Sequence, residues 1–192
     1  MYRFPAIILS ITKIRDNNTR IVLLSREYGK ITGWWNKKNI TGIDIGDIVE
    51  ILISREGTKN TIKNIDIKIH AWNKWWNYER IIGFLETMHI ANKMSLDGHE
   101  SQSLYDDMYE CISLGSRQDM THAQYTIFQM RILKSLGSMD RSILWDDTIL
   151  MYIYDNISHT PLERILSASN IKRDHINKIQ QINLHSLYML ER

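Results

Sequence analysis

The hydrophobic period of this 192-residue chain changes once, near His70, and that change dictates two kinds of structural layer. Before it, apolar and polar residues alternate. After it, apolar residues recur every three or four positions. Thr61 to Ile69 shows the alternation best: Ile65, Ile67 and Ile69 share one face, and Asn64, Asp66 and Lys68 the other. Val49, Ile51 and Ile53 repeat it within Asp47 to Ile53. Ala6 to Ile14, Arg20 to Arg26 and Ile31 to Trp35 complete five β-rich runs, separated by Asp16-Asn17-Asn18 and by glycines such as Gly42, Gly46 and Gly57. Five short strands with no long helix among them predict a small barrel such as an OB-fold. An SH3-like barrel gives much the same pattern.

Helical spacing follows. Tyr78, Ile81, Ile82, Leu85 and Met88 form one stripe, and Leu104, Tyr105, Met108, Cys111 and Ile112 another. Thr121 stands three residues before Gln124, the capping-box spacing, and Tyr125, Phe128, Ile132 and Leu136 run from there to a stop at Gly137. Ile143 to Ile157 predicts a fourth helix. Thr160-Pro161-Leu162-Glu163 reads as a second capping box, and Ile176, Ile179 and Ile182 lie on a last helix. The sequence thus predicts an α+β protein: a five-stranded OB-fold barrel over 1–72 and an all-helical domain over 73–192. Trp75 and Trp76, near the junction, are read as interdomain packing.

Enzyme signatures are scarce. Glu86 and His89 share a helix face, but a di-iron bundle needs a second such motif and two more Glu residues. Cys111, the sole cysteine, sits on an apolar stripe and cannot build a cysteine zinc site or an internal disulfide. Asp44 and Asp47 flank Gly46 and read as a turn. No phosphate-binding loop, nucleophile elbow or dinucleotide fingerprint is present. The expectation is a protein with no catalytic site, no metal and no cofactor. A short apolar run, Ala6 to Leu9, follows Arg3 and Pro5, so neither a secretory signal nor a membrane span is expected. The sequons at Asn17, Asn39 and Asn156 then carry no meaning, and a reducing, cytoplasmic location is expected.

Charge is uneven. Residues 1–70 hold 12 Lys/Arg against 7 Asp/Glu, and residues 71–192 hold 12 against 15. A basic first module suggests that a polyanion meets the N-terminal part. Within Arg20 to Asn39, the cations Arg20, Arg26, Lys30, Lys37 and Lys38 alternate with Tyr28, Trp34 and Trp35. Such a mixture holds single-stranded nucleic acid: cations track phosphates and rings stack on bases. Adjacent strand residues point to opposite faces, so Trp34 and Trp35 cannot both enter one core.

The same segment resembles a known family. Ala6-Ile7-Ile8-Leu9, then Arg20 to Ile31 with its Ser25-Arg-Glu-Tyr-Gly-Lys-Ile31 ending, is similar to the N-terminal signature of RecO, the bacterial recombination mediator. Phe128-Gln-Met-Arg-Ile-Leu-Lys-Ser-Leu-Gly137 resembles that family's "F-E-L-R-L-L-x-x-L-G" helix. The family's four-cysteine zinc module has no counterpart in residues 138–160. The resemblance implies a protein that binds single- and double-stranded DNA and anneals complementary strands. It also implies a partnership with RecR in loading RecA onto DNA coated by single-stranded DNA-binding protein. In some members basic residues hold that protein's acidic tail; here Arg131 and Lys134 are the candidates. Two other classes stay open: an adaptor whose barrel docks a partner protein without touching nucleic acid, and a metal-dependent nuclease.

Overall fold

A computed structural model describes residues 1–15, 18–36, 42–72, 77–117, 120–139, 141–144, 147–158, 160–161, 164 and 171–189. Five strands come first: β1 (Tyr2–Arg15), β2 (Asn18–Ser25), β3 (Gly29–Trp35), β4 (Ile48–Glu56) and β5 (Lys59–Ile69). They close into a barrel in the order β1-β2-β3-β5-β4, with β4 returning to β1. This is an OB-fold-like barrel followed by helices, as the change of period predicts. The helices are α1 (Tyr78–Met94), α2 (Gln102–Arg117), α3 (His122–Ser135), α4 (Thr148–Asn156) and α5 (Arg173–Met189), with a 3₁₀ turn at Arg141–Leu144.

Alternation builds the barrel core. Phe4, Ala6 and Ile8 of β1 meet Ile21 and Leu23 of β2, Val49, Ile51 and Ile53 of β4, and Ile62 of β5. β1 serves two neighbours, pairing with β4 over Tyr2–Ile7 and with β2 from Ala6 onward. Register shifts at Ile8/Ser10 and Lys13/Arg15 bend it between them. The outward residues Ile7, Leu9, Val22 and Leu24 are buried as well, and α2 is the helix that contacts β1 and β2. That explains why β2 carries an unbroken apolar run where simple alternation would place polar residues.

The chain forms two compact units. One contains residues 1–76 and 91–119; the other contains 77–90 and 120–192. Packing therefore divides differently from the change of period, because α2 belongs with the barrel. Within the second unit α3 is the central element, buried from Tyr125 to Met130 and again at Ile132 and Leu133. Its Thr121–Gln124 capping box is present, and Gly137, at φ 68°, ends the helix. Asn183 of α5 donates to the Thr126 carbonyl at 3.0 Å. The expected fourth helix over Ile143 to Ile157 is shorter. Asp147 accepts from the N–H groups of Ile149 and Leu150 and starts α4 there, and Arg141–Leu144 forms the separate 3₁₀ turn. The Thr160–Glu163 capping box falls partly outside the described residues, as do Trp75 and Trp76.

The outer edge of β3 is closed unusually. β3 meets β5 in parallel at one pair, Trp34↔Thr61. Farther up, Asn60 Nδ2 donates to the Thr32 carbonyl at 3.1 Å. At the top, Lys30 N–H donates to the Leu96 carbonyl and the Lys30 carbonyl accepts from Gly98 N–H, so a loop acts as a short extra strand. Gly29 allows that approach: its φ is +62°, and a Cβ there would lie 1.6 Å from the His99 carbonyl oxygen. Gly29→Ala is expected to cost about 3 kcal/mol or more in chemical denaturation, through clash and left-handed strain together.

α2 supplies a pH test of its own seat. Tyr105 is 5% exposed on the buried side of α2. Burial pushes its phenol up to about 12, and Tyr109 and Asp106 add to the shift. The folded state holds this proton more tightly than the unfolded chain, whose phenol titrates near about 10. Its stabilisation is complete below about pH 10 and is lost as pH rises through about 12. Tyr105→Phe should flatten that alkaline loss in a denaturation series; an unchanged slope would assign it to other groups.

Candidate nucleic-acid interface

Parity along β3 decides what each tryptophan does. Ile31 and Trp35 pack against the barrel core, and Gly33 lies between them facing Ile62. Lys30, Thr32 and Trp34 therefore form the outward row. Trp35 is the inward ring of the pair, and Trp34 is left half-buried on the outer wall.

Trp34 has cationic neighbours on both sides. Its partner across β2 is Arg20, placing their Cβ atoms about 5 Å apart. Lys59 places its ammonium 5.8 Å from the centre of the Trp34 ring, a cation–π distance. Arg20 is exposed and makes no ion pair among the described residues. Lys63, two residues beyond Thr61 on β5, is exposed too. Lys59 thus lies over the indole and Arg20 beside it across the strand pair, so one patch holds an aromatic ring with two cations, the mixture that single-stranded nucleic acid uses.

Other expected cations lie elsewhere. Arg26 is bound to Asp106 of α2 at 3.0 Å, with both side chains half exposed. Lys30 is engaged by the end of α1: its ammonium donates to the Asn92 and Ser95 carbonyls at 3.0 and 3.2 Å. The Asn92 carbonyl is among those left unpaired at the end of α1, so Lys30 caps that helix. Lys134 behaves alike in the second unit. It donates to the Tyr154 carbonyl near the end of α4 and lies 4.5 Å from the Tyr154 ring centre, and burial lowers its pKa. Arg131 lies over the Phe128 ring at 5.9 Å. Lys37 and Lys38 lie outside the described residues.

No family model matches the chain, and no curated protein matches it. The segments Ala6–Leu9, Arg20–Ile31 and Phe128–Gly137 lie on β1, on β2 through the turn into β3, and on α3 with the turn that follows it.

Residues considered for chemistry are held by the fold. Asp47 is fully buried; its carboxylate accepts from Asp44 N–H at 2.8 Å and Ala71 N–H at 2.9 Å, with His70 Nδ1 at 3.4 Å. It ties the turn before β4 to the chain leaving β5. Glu86 lies 3.7 Å from His122. Among the described residues no group of three or more His, Cys, Asp or Glu could hold a metal ion, and no helix is long and apolar enough to cross a membrane.

Sequence reasoning missed Lys59. The signal was present in the fold prediction: in an OB-like barrel β3 and β5 are neighbours, so a lysine at the start of β5 comes beside the end of β3. The roles of Lys30 and Trp34 separate in one comparison. Lys30→Met should lower stability by about 1–2 kcal/mol through the exposed carbonyls of α1 and leave any ligand affinity of the barrel unchanged. A loss of affinity without a loss of stability would return Lys30 to the binding surface.

Proposed function

We propose that this barrel binds single-stranded DNA on its β2–β3 face and that the chain acts as a non-catalytic recombination mediator. The observation carrying this reading is Trp34, turned outward between Arg20 and Lys59 on an OB-like barrel. That face is where such barrels engage oligonucleotides. Binding needs no bond chemistry. Phosphates pair with Arg20, Lys59 and Lys63 while a base stacks on Trp34. Annealing follows if the bound strand keeps its remaining bases accessible to a complement. The RecO-like motifs extend the proposal to RecR and to the acidic tail of single-stranded DNA-binding protein as partners, with RecA loaded as the outcome. Arg131 and Lys134 are weaker anchors for that tail than the sequence suggested, since the fold already engages both side chains.

The test is a fluorescence-anisotropy titration of labelled oligo-dT at two salt concentrations. Trp34→Ala should weaken binding by about 1–3 kcal/mol at unchanged melting temperature. The double change Arg20→Ala, Lys59→Ala should reduce the log–log salt slope by about 0.7 for each phosphate contact removed. Absence of binding at low salt would overturn the DNA reading and favour the adaptor, for which pull-down with RecR is the next measurement.

A further inference from the structure

A cleft of about 610 Å³ opens at one end of the barrel, beside the Trp34 face. Its walls come from the starts of β1, β3 and β5, the end of β4, and Asp97-Gly98 of the loop that edges β3. Three rings line it: Tyr2, Phe4 and Tyr28. Phe4 is buried, and its ring meets Tyr28 at 5.0 Å between centres with a 59° tilt. Tyr28 is 40% exposed and turned to solvent. The Lys30–Leu96 and Gly98–Lys30 backbone hydrogen bonds fix the opposite wall.

The cleft is not a phosphate site. Its lining includes two carboxylates, Glu27 and Asp97, and two cations, Lys30 and Arg55. The Lys30 ammonium is already held by helix carbonyls, and Arg55 Nε bonds the Gly57 carbonyl at 3.3 Å. The carboxylates of Glu27 and Asp97 have no partner among the described residues. The lining carries no net positive charge to draw a phosphate, and its two unpartnered carboxylates suit a flat ring carrying N–H donors. Ionised carboxylates only accept hydrogen bonds. Of the four bases, guanine alone presents two adjacent donors, N1–H and the N2 amine, which one carboxylate can engage together.

Thr32 connects cleft and platform. It lines the cleft and lies two residues from Trp34 on the same outward row, about 6.6 Å along the strand. A nucleotide next to one stacked on Trp34 therefore reaches the cleft mouth. We infer that the cleft is a second nucleotide subsite that takes an unstacked guanine, with Tyr28 against its face and Asp97 or Glu27 on its Watson–Crick edge. This rests on the DNA-binding reading of the Trp34 face and adds a base preference to it.

The probes are oligo-dT and the same oligomer carrying single dG substitutions, titrated against the full chain by anisotropy. The best-placed dG should tighten binding about fivefold or more. Asp97→Asn and Glu27→Gln, both near-isosteric changes at exposed positions, should together abolish that gain and leave oligo-dT affinity within about twofold. Equal affinity for the two oligomers, or a dG preference that survives both changes, would overturn the cleft assignment. Trp34→Ala keeps the two readings apart. If it weakens oligo-dT binding while dG brings no gain, the platform stands and the guanine subsite falls; if the unaltered chain binds neither oligomer, both fall.

Discussion

A strand cannot leave its backbone donors and acceptors unpaired in a packed barrel, and among the described residues β3 has one residue pair with β5 along its outer edge. An asparagine side chain meets the Thr32 carbonyl, and a loop arriving from beyond α1 meets both backbone groups of Lys30. Much of this protein's character follows from that solution. Gly29 is required because the loop comes too close for a side chain. Lys30 is drawn to the helix end that precedes the loop, and the loop itself becomes one wall of an aromatic cleft.

The same arrangement divides the barrel's outer surface into two kinds. Over β1 and β2 the wall is apolar on both faces and α2 contacts it, so that half belongs to the core. Over the ends of β3 and β5 the wall carries Trp34, Thr32, Lys59 and Lys63 and keeps its polar character. That second half brings a ring and cations together, as Lys59 over Trp34 shows. Arg26, at the margin, is tied to α2 by its ion pair with Asp106 and so belongs to the covered half.

The barrel was legible because strand parity is local. Alternation in Ile65, Ile67 and Ile69 needs no partner to be read, whereas the burial of both faces of Ile21–Leu24 emerged only with the packing of α2. Parity also showed that Trp34 and Trp35 separate, although the inward member became known only from the register with β2 and β5. Side-chain engagements were not legible. Lys30 bonds carbonyls 62 and 65 residues away, and Arg26 pairs across 80. Lys134 likewise finds a carbonyl 20 residues on. A lysine that will close a helix end looks, in sequence, like one that will meet a phosphate. The start of α4 was lost for a related reason: an apolar run continues through Asp147, but its carboxylate binds the backbone and restarts the helix there.

The late arrival of residues 96–98 and of α2 also matters while the chain is being made. All five strands leave the ribosome before the segment that seals the edge of β3 and the helix that contacts β1 and β2. At about 5–20 residues per second, the lag between β3 and α2 lasts several seconds. Throughout that interval Val22 and Leu24 face solvent and the β3 edge can pair with a strand from another nascent chain. In the folded chain Val22 and Leu24 are buried and Lys30 is paired with the loop. A surface completed late is open to association with other nascent chains before the fold closes, a hazard set by the order of synthesis and not by equilibrium stability.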